Sequence, residues 1–425
     1  MKQISNKIYE KVINNKSLII NFGHLSVFQI FNILIPVVTY PYLIKVLGSE
    51  KYGLLVFAQT IVAYLSIIVN FGFNLSATKE ISIHRNNKFK LNEIVSSVFI
   101  IKGLLLLFSF ALLCLFLNFN LQAKLHSTIL LLSMYSCIFD MIFPVWYFQG
   151  IEKMKYVTLI NVVSRSIFVL FIFILVKSEN DYLLVPGIQG IGALIAGFFS
   201  LYIVFVKGGI KFSFQKFSVL KYHIKESYSL FISNIAIQIY TNANKLIVGS
   251  FLGFSEVAAY DLAEKLVSLA KTPLSLISQT IFPKISKEMN LIFVWKMARN
   301  VFVLNVFVLF ILYFTAPILI KIMGGHLLSD SLVVLRFLAI TVPVIGISNF
   351  LGIQILIPFG YNKSFSRVIV NSCIVYLFLF FIFYITGSLN IISITLMSVI
   401  TEIYVTIHMY VICKQNKLLW KSLTI

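Results

Sequence analysis

The sequence predicts an all-α integral membrane protein of about 12 transmembrane helices in two halves, and three observations carry that prediction. Of the 425 residues 59% are hydrophobic and only 12% charged, with a mean hydropathy of +0.94. A water-soluble domain carries about a quarter of its residues as charges, so that class is excluded. Apolar runs of about 20 residues, long enough to cross the hydrocarbon of a bilayer as helices, recur along the whole chain. The cations between the runs alternate in number, as loops on opposite sides of a membrane do.

Taken in order, the runs cover 18–43, 52–76, 94–118, 127–150, 156–177 and 183–206. After a basic interval come 227–251, 256–282, 299–322, 332–358, 366–386 and 389–413. The residues through Lys16 carry four lysines and precede an apolar run without a small-residue cleavage site, which predicts an uncleaved signal anchor. One set of loops, from Lys2 through Lys79, Lys153, Lys207–Lys225, Lys284, Lys363 and Lys414–Lys421, holds about 24 cations; the other holds only Lys45, Lys51, Lys124, Lys177 and Lys321. Both termini are therefore expected in the cytoplasm. The net charge of +20 is explained by these loops and anionic headgroups rather than by nucleic acid. Cys114, Cys137, Cys373 and Cys413 lack metal-ligand or CxxC spacing and read as thiols among apolar side chains.

External loops are short, so no external domain is expected to host chemistry. The longest hydrophilic interval, 207–225, interleaves five lysines with Phe212, Phe214, Phe217 and Tyr222. Two readings stand open for it: a strip along the inner leaflet, or a solvated linker. The segment starting at Leu47, LGSEKYGLLVFAQ, is echoed by LGFSEVAAYDLAEK starting at Leu252; TKEIS ending at Ser82 is echoed by FPKIS ending at Ser286. The offset of about 204 or 205 residues spans six runs, so both copies share one orientation, a parallel repeat about an axis along the membrane normal. The expected organisation is an N-terminal six-helix lobe over 1–210, a cytoplasmic linker over 211–226 and a C-terminal six-helix lobe over 227–425.

The stretch from Asn234 to Gln279 poses the sharpest physical problem. Its second half spaces Asp261, Glu264, Lys265, Ser268, Lys271, Thr272, Ser275 and Gln279 by three or four, one face of one helix. A charge at mid-bilayer costs roughly 2.5–3.5 kcal/mol, whereas each Leu, Ile, Val or Phe returns only about 0.3–0.6. The stripe must line a water-filled cavity, pair within a bundle, or lie at the interface. Companion stripes hold Asn234, Gln238, Asn242 and Lys245 in the seventh run, Gln59, Ser66, Asn70 and Asn74 in the second, and Gln29 and Asn32 in the first. Asp140 lies in the fourth run, Arg165 in the fifth and Arg336 near the start of the tenth; Lys102, Glu93 and Glu402 are read as lying near span ends, where snorkelling suffices.

Each has a structural alternative. Asp261 and Lys265 suit an intrahelical pair, Lys245 could pair with Asp261 or Glu264 across a hairpin, Asp140 could neutralise Arg165, and Asn and Gln commonly join helices. Against a wholly structural account, Lys245, Lys265, Lys271, Arg165 and Arg336 outnumber Asp140, Asp261 and Glu264 by two. A cationic surplus suits an anionic substrate group. Walker A, HExxH, GxSxG and clustered His/Cys sets are all absent, so neither ATP, a metal, a cofactor nor catalysis is expected.

Three stretches carry a resemblance: NFGFNLSATKEISIHRNN from Asn70, FPVWYFQGIEKMKYVTLINVVSR from Phe143, and NANKLIVGSFLGFSEVAAYDLAEKL from Asn242. They resemble the bacterial O-antigen and polysaccharide repeat-unit flippases, the Wzx-type members of the multidrug/oligosaccharidyl-lipid/polysaccharide exporter superfamily. The resemblance spans essentially the whole chain, and the segment Trp146 to Glu152 is its most specific motif. It implies two six-helix lobes in a V around a central cavity, in the bacterial inner membrane. It also implies that a diphosphate-linked oligosaccharide on an undecaprenyl tail crosses from the inner to the outer leaflet by alternating access, with a polysaccharide polymerase and a chain-length regulator as neighbours. The polar stripes make Asn242, Asn70, Asn74 and Gln29 candidate cavity residues, and the charge reading of the sequence itself, not the resemblance, adds Lys245, Lys265, Lys271, Arg165 and Arg336. Asp140, Asp261 and Glu264 serve ion coupling or charge pairing. A cation-coupled small-molecule exporter of the same superfamily would need an acidic ion site in the first lobe, where only Asp140 is available. A membrane polymerase or ligase would need a large external loop.

Overall fold

A computed structural model describes residues 16–324 and 330–419, and every regular element among them is helical. The first helix, α1 (Lys16–Asn70), bends at Gly48, whose φ of 71° only glycine adopts without strain. It therefore supplies two of the expected spans. There follow α2 (Phe73–His84), α3 (Lys88–Phe119), α4 (Leu121–Leu125), α5 (Ser127–Ser133), α6 (Tyr135–Ile142), α7 (Val145–Gly150), α8 (Met154–Leu175) and α9 (Leu184–Tyr202), which runs into a π-turn at Ile203–Lys207. The second half holds α10 (Phe217–Phe251), α11 (Phe254–Glu288), α12 (Leu291–Met323), α13 (Ser331–Ala339), α14 (Thr341–Asn349), a π-helical Phe350–Leu356, α15 (Asn362–Ile385) and α16 (Ile391–Gln415).

Among the described residues nine helical stretches are long and apolar enough to cross a membrane. One of them, Leu34–His84, joins the end of the first expected span to the second through the Gly48 bend, and α10 and α11 are not among the nine. Counting these restores the twelve expected. The fourth span is broken at Phe143–Pro144, since proline lacks the N–H that the helix ladder needs and forces its predecessor out of helical geometry.

The helices gather into two compact units. Among the described residues, one holds the chain up to Thr39 with Ile61–Asn234, and the other holds Tyr40–Thr60 with the chain after Asn234. In the first, Trp146, Tyr147 and Phe148 of the WYF motif are buried against Phe73, Ala77 and Ile81 of α2 and Val95, Val98 and Phe99 of α3. Arg85 caps the motif through a 2.9 Å ion pair with Glu152. The motif thus builds the core of this unit.

In the second unit the segment Tyr40–Thr60 lies on α10 and α11. The two repeat copies meet there: Ser255 donates to Ser49 at 2.8 Å, and Gly48 and Gly253, matched in the repeat, both hold positive φ. With hydrophobic driving force absent between helices in lipid, small residues that allow close approach decide such contacts. A Cβ on Gly53 would fall 1.7 Å from the Phe254 carbonyl oxygen. Gly53→Ala is therefore expected to lower the melting temperature of the detergent-solubilised protein by several degrees. Gly187→Ala, whose Cβ would meet nothing within 4 Å, is the matched control expected to leave it unchanged. Equal melting of the two variants would contradict this packing. All four cysteines are free thiols, Cys137 and Cys413 fully buried.

Candidate functional site

The second unit contains a cavity of about 350 Å³ built by the predicted charged stripe. From α10 come Tyr240, Thr241, Asn242 and Lys245; from α11 Tyr260, Glu264, Lys265, Val267, Ser268 and Lys271. From α13 and α14 come Leu338, Thr341 and Ile345, and from α16 Ser398 and Glu402. Steps of three and four along α11 turn Glu264, Lys265, Ser268 and Lys271 to one side, which is why one helix supplies so much of the lining.

Its charges are organised around Asp261, which is 1% exposed just behind the lining. The Asp261 carboxylate lies 2.5 Å from Lys265 Nζ and 3.6 Å from Lys245 Nζ, and accepts a 2.9 Å hydrogen bond from the Tyr52 hydroxyl. Lys245 Nζ stands 2.8 Å from Glu264. Lys265 also donates to the Tyr52 oxygen at 2.9 Å and sits 3.4 Å above the Tyr40 ring. Both structural alternatives raised by the sequence, the intrahelical pair and the hairpin pair, are thus present together. A buried charge left without such partners would cost several kcal/mol.

Lys271 is held differently. Its Nζ donates to the Thr341 hydroxyl at 2.9 Å, while Thr341 donates to the Leu338 carbonyl at 2.6 Å, which leaves the hydroxyl oxygen free to accept. Among the described residues no carboxylate lies within ion-pair distance of Lys271. Below the cavity Asn244 donates to Tyr260 at 2.6 Å and to Ser398, and accepts from Tyr376 at 2.6 Å. This network fixes the facing sides of α10, α11, α15 and α16.

Glu402 is not near a span end: it lies midway along α16 and lines the cavity. With it, Lys245, Lys265 and Lys271 are matched by Asp261, Glu264 and Glu402, so the surplus of cations expected from the sequence is not a property of this cavity. Lys102 is corrected likewise. It is 1% exposed within the first unit and donates to Asn70 Oδ1 at 3.2 Å and to the Asp140 carbonyl at 2.8 Å. Ser66 donates to the Asp140 carboxylate in the same cluster. A long stem places the Lys102 ammonium where counting from the span end does not.

The other predicted residues are dispersed. Asn242 lines the cavity and donates to Gln238. Arg336 is not among its lining; the guanidinium stacks on Tyr313 of α12, 4.9 Å from the ring centre. Arg165 lies half-buried in α8 and Asn74 is exposed on α2, both in the first unit. The side chain of Gln29 lies outside the described residues, as do Lys2, Lys7 and Lys11. Sequence reasoning missed Tyr40, Tyr52, Tyr260 and Thr341, which hold the charges in place. A signal was present for two of them: Tyr52 and Tyr260 are the tyrosines of the two repeat copies.

Helices throughout the described residues, and spans enough to cross a bilayer many times, define a multi-pass membrane protein with an ionic cavity inside one helical unit. The chain belongs to the family of polysaccharide biosynthesis proteins, which matches residues 18–289. It is 30% identical over 412 residues to a protein of Escherichia coli (strain K12) named "Putative O-antigen transporter", covering 96% of this chain and 99% of that one. A protein of the same name from Shigella dysenteriae is 31% identical, covering 81% and 88%. The fold of this chain is similar to those of solved transporters of the MOP superfamily. The lipid II flippase MurJ in an inward closed conformation superposes with a TM-score of 0.74 at 16% identity, over 96% of this chain and 91% of that one. An inward-facing MATE multidrug transporter gives 0.69 at 13%, over 90% and 98%. These relatives are transporters and flippases, and the chain is a transport protein rather than an enzyme.

Proposed function

We propose that the protein flips an undecaprenyl-diphosphate-linked oligosaccharide repeat unit from the cytoplasmic to the outer leaflet of the bacterial inner membrane, by alternating access, for O-antigen or capsular polysaccharide synthesis. The observation that carries this reading is Lys271: a cation facing an ionic cavity, braced by a neutral hydroxyl instead of a carboxylate. Lysine recognises phosphate as a point charge, and a cation without an acid at ion-pair distance keeps that capacity. A diphosphate entering here would take Lys271 first, and could then compete with Glu264 for Lys245. The hydroxyls and amides of Tyr240, Thr241, Asn242, Ser268 and Ser398 are suited to hydrogen-bond sugar hydroxyls. The names of the relatives support the substrate class, and the loop charges support cytoplasmic termini. Neighbouring polymerase and chain-length proteins belong to the same reading.

A second reading, export of small molecules coupled to a cation gradient, is favoured by the cavity acids Glu264 and Glu402 and by the Asp140 cluster. Vesicles separate the two: the purified protein is expected to carry undecaprenyl-diphosphate oligosaccharide across the bilayer, whereas transport of a cationic dye with no lipid-linked glycan translocated would favour the second.

A further inference from the structure

Beyond glycan transport, we propose that the first unit carries a binding site for an anionic phospholipid, whose chain enters an apolar groove at the end of α9 and whose phosphate is held by Lys207 and Lys211. The groove has a volume of about 360 Å³ and is walled by Ile100 of α3, Met141 of α6, and Leu201 and Phe205 at the end of α9, with Phe212 at its lip. Its lining is almost wholly apolar, so it offers a hydrocarbon chain contacts and offers a sugar nothing to hydrogen-bond.

The chain path builds the rest of the site. α9 ends in a π-turn, where the Gly208 N–H reaches back to the Ile203 carbonyl at 2.8 Å. Such turns widen a helix and are frequent where function resides. Gly209, with φ of 65°, then reverses the chain over α3. There it is pinned: the Lys211 N–H donates to Asn92 Oδ1 at 2.9 Å and the Ser213 N–H to Ser96 Oγ at 3.0 Å, while Ile210 is buried in the core. Residues 208–213 thus form a strap docked on α3. Around it the outward side chains alternate between aromatic and basic: Phe214 is 91% exposed and Phe217 77%, with Lys207, Lys211 and Lys216 exposed among them.

Charge complementarity selects the occupant. From Lys207 to Lys225 the chain carries five lysines and no acid, an arrangement that draws an anionic headgroup over a zwitterionic one. Bare phenylalanines beside those lysines match the headgroup boundary of a bilayer, where apolar rings bury and ammonium groups stay wet. The lysine-rich loops place this surface at the inner leaflet.

Native mass spectrometry of the full-length protein in detergent, titrated separately with dioleoyl phosphatidylglycerol and dioleoyl phosphatidylcholine, tests the site. Wild type is expected to retain one phosphatidylglycerol at least tenfold more tightly than phosphatidylcholine. Lys207→Gln with Lys211→Gln removes that preference, at roughly fivefold per lysine. Ile100→Trp, which fills the groove, weakens both lipids. Unchanged preference in the lysine double variant overturns the proposal, as does undiminished retention of both lipids by a folded Ile100→Trp protein. Should Ile100→Trp fail to fold, Met141→Trp fills the same groove from the opposite wall and is read the same way. Displacement of phosphatidylglycerol by free inorganic phosphate that is as easy from wild type as from Ile100→Trp would point to an ion site and would likewise overturn it.

Discussion

Lys271→Gln is expected to reduce transport of the lipid-linked glycan roughly 10- to 100-fold, the loss of one charge-assisted hydrogen bond to a phosphate. Membrane levels of the protein should stay within twofold of wild type. The difference from its neighbours explains the second half of that expectation. Lys271 leans on the Thr341 hydroxyl, with no carboxylate at ion-pair distance among the described residues, so its removal breaks no direct ion pair. Glutamine can still donate to Thr341. Lys271→Arg keeps the positive charge and is expected to retain most activity if charge is what matters, although its planar fork will not seat identically. Surface polysaccharide in a strain lacking its own flippase, read beside an immunoblot of the membrane fraction, checks both halves. A normal surface glycan with Lys271→Gln would remove this residue from the site.

Asp261→Asn should produce the opposite pattern, a protein lost from the membrane before transport can be asked about. The carboxylate holds Lys265 at 2.5 Å, Lys245 at 3.6 Å and the Tyr52 hydroxyl at 2.9 Å, from a position 1% exposed. Lys245 keeps Glu264 when Asp261 is neutralised, but Lys265 keeps only tyrosines. Breaking a buried pair from one side costs about 3–5 kcal/mol, most of it from the cation left behind. Removing both partners is far cheaper, so Asp261→Asn combined with Lys265→Met should recover much of the stability. A thermal double-mutant cycle in detergent measures this directly. Strictly additive effects would mean that Asp261 and Lys265 do not support one another.

The contrast between these residues also marks how far the sequence could be read. Hydropathy and loop charge predict about twelve spans because bilayer thickness sets helix length, and the stripe on α11 is legible because a period of 3.6 is visible in any window of that helix. Spacing alone offers the Asp261–Lys265 pair as one of two readings, and the structure contains it. What the spacing could not show was which charges from distant spans share the cavity. Glu402 and Thr341 arrive from α16 and α14, and Tyr52 arrives from a segment some 200 residues before Asp261. Such placements depend on tertiary packing, to which helical periodicity is blind. Lys102 and Glu402 depart from the expectation for a related reason: distance from a span end does not set wetness, because a neighbouring helix can bury a charge at any depth. The WYF motif, the strongest mark of kinship, proved to be packing material in the first unit, while the cavity residues lie largely elsewhere.

The most direct test of the account is translocation in proteoliposomes. The purified protein is placed in vesicles with a fluorescent undecaprenyl-diphosphate oligosaccharide, and the fraction reachable by an external glycosidase is followed over time. The account predicts that wild type makes the label on the inner leaflet accessible and that Lys271→Gln slows this roughly 10- to 100-fold at equal protein incorporation. Accessibility that rises no faster than in protein-free vesicles, or that rises equally in wild type and Lys271→Gln, would contradict it.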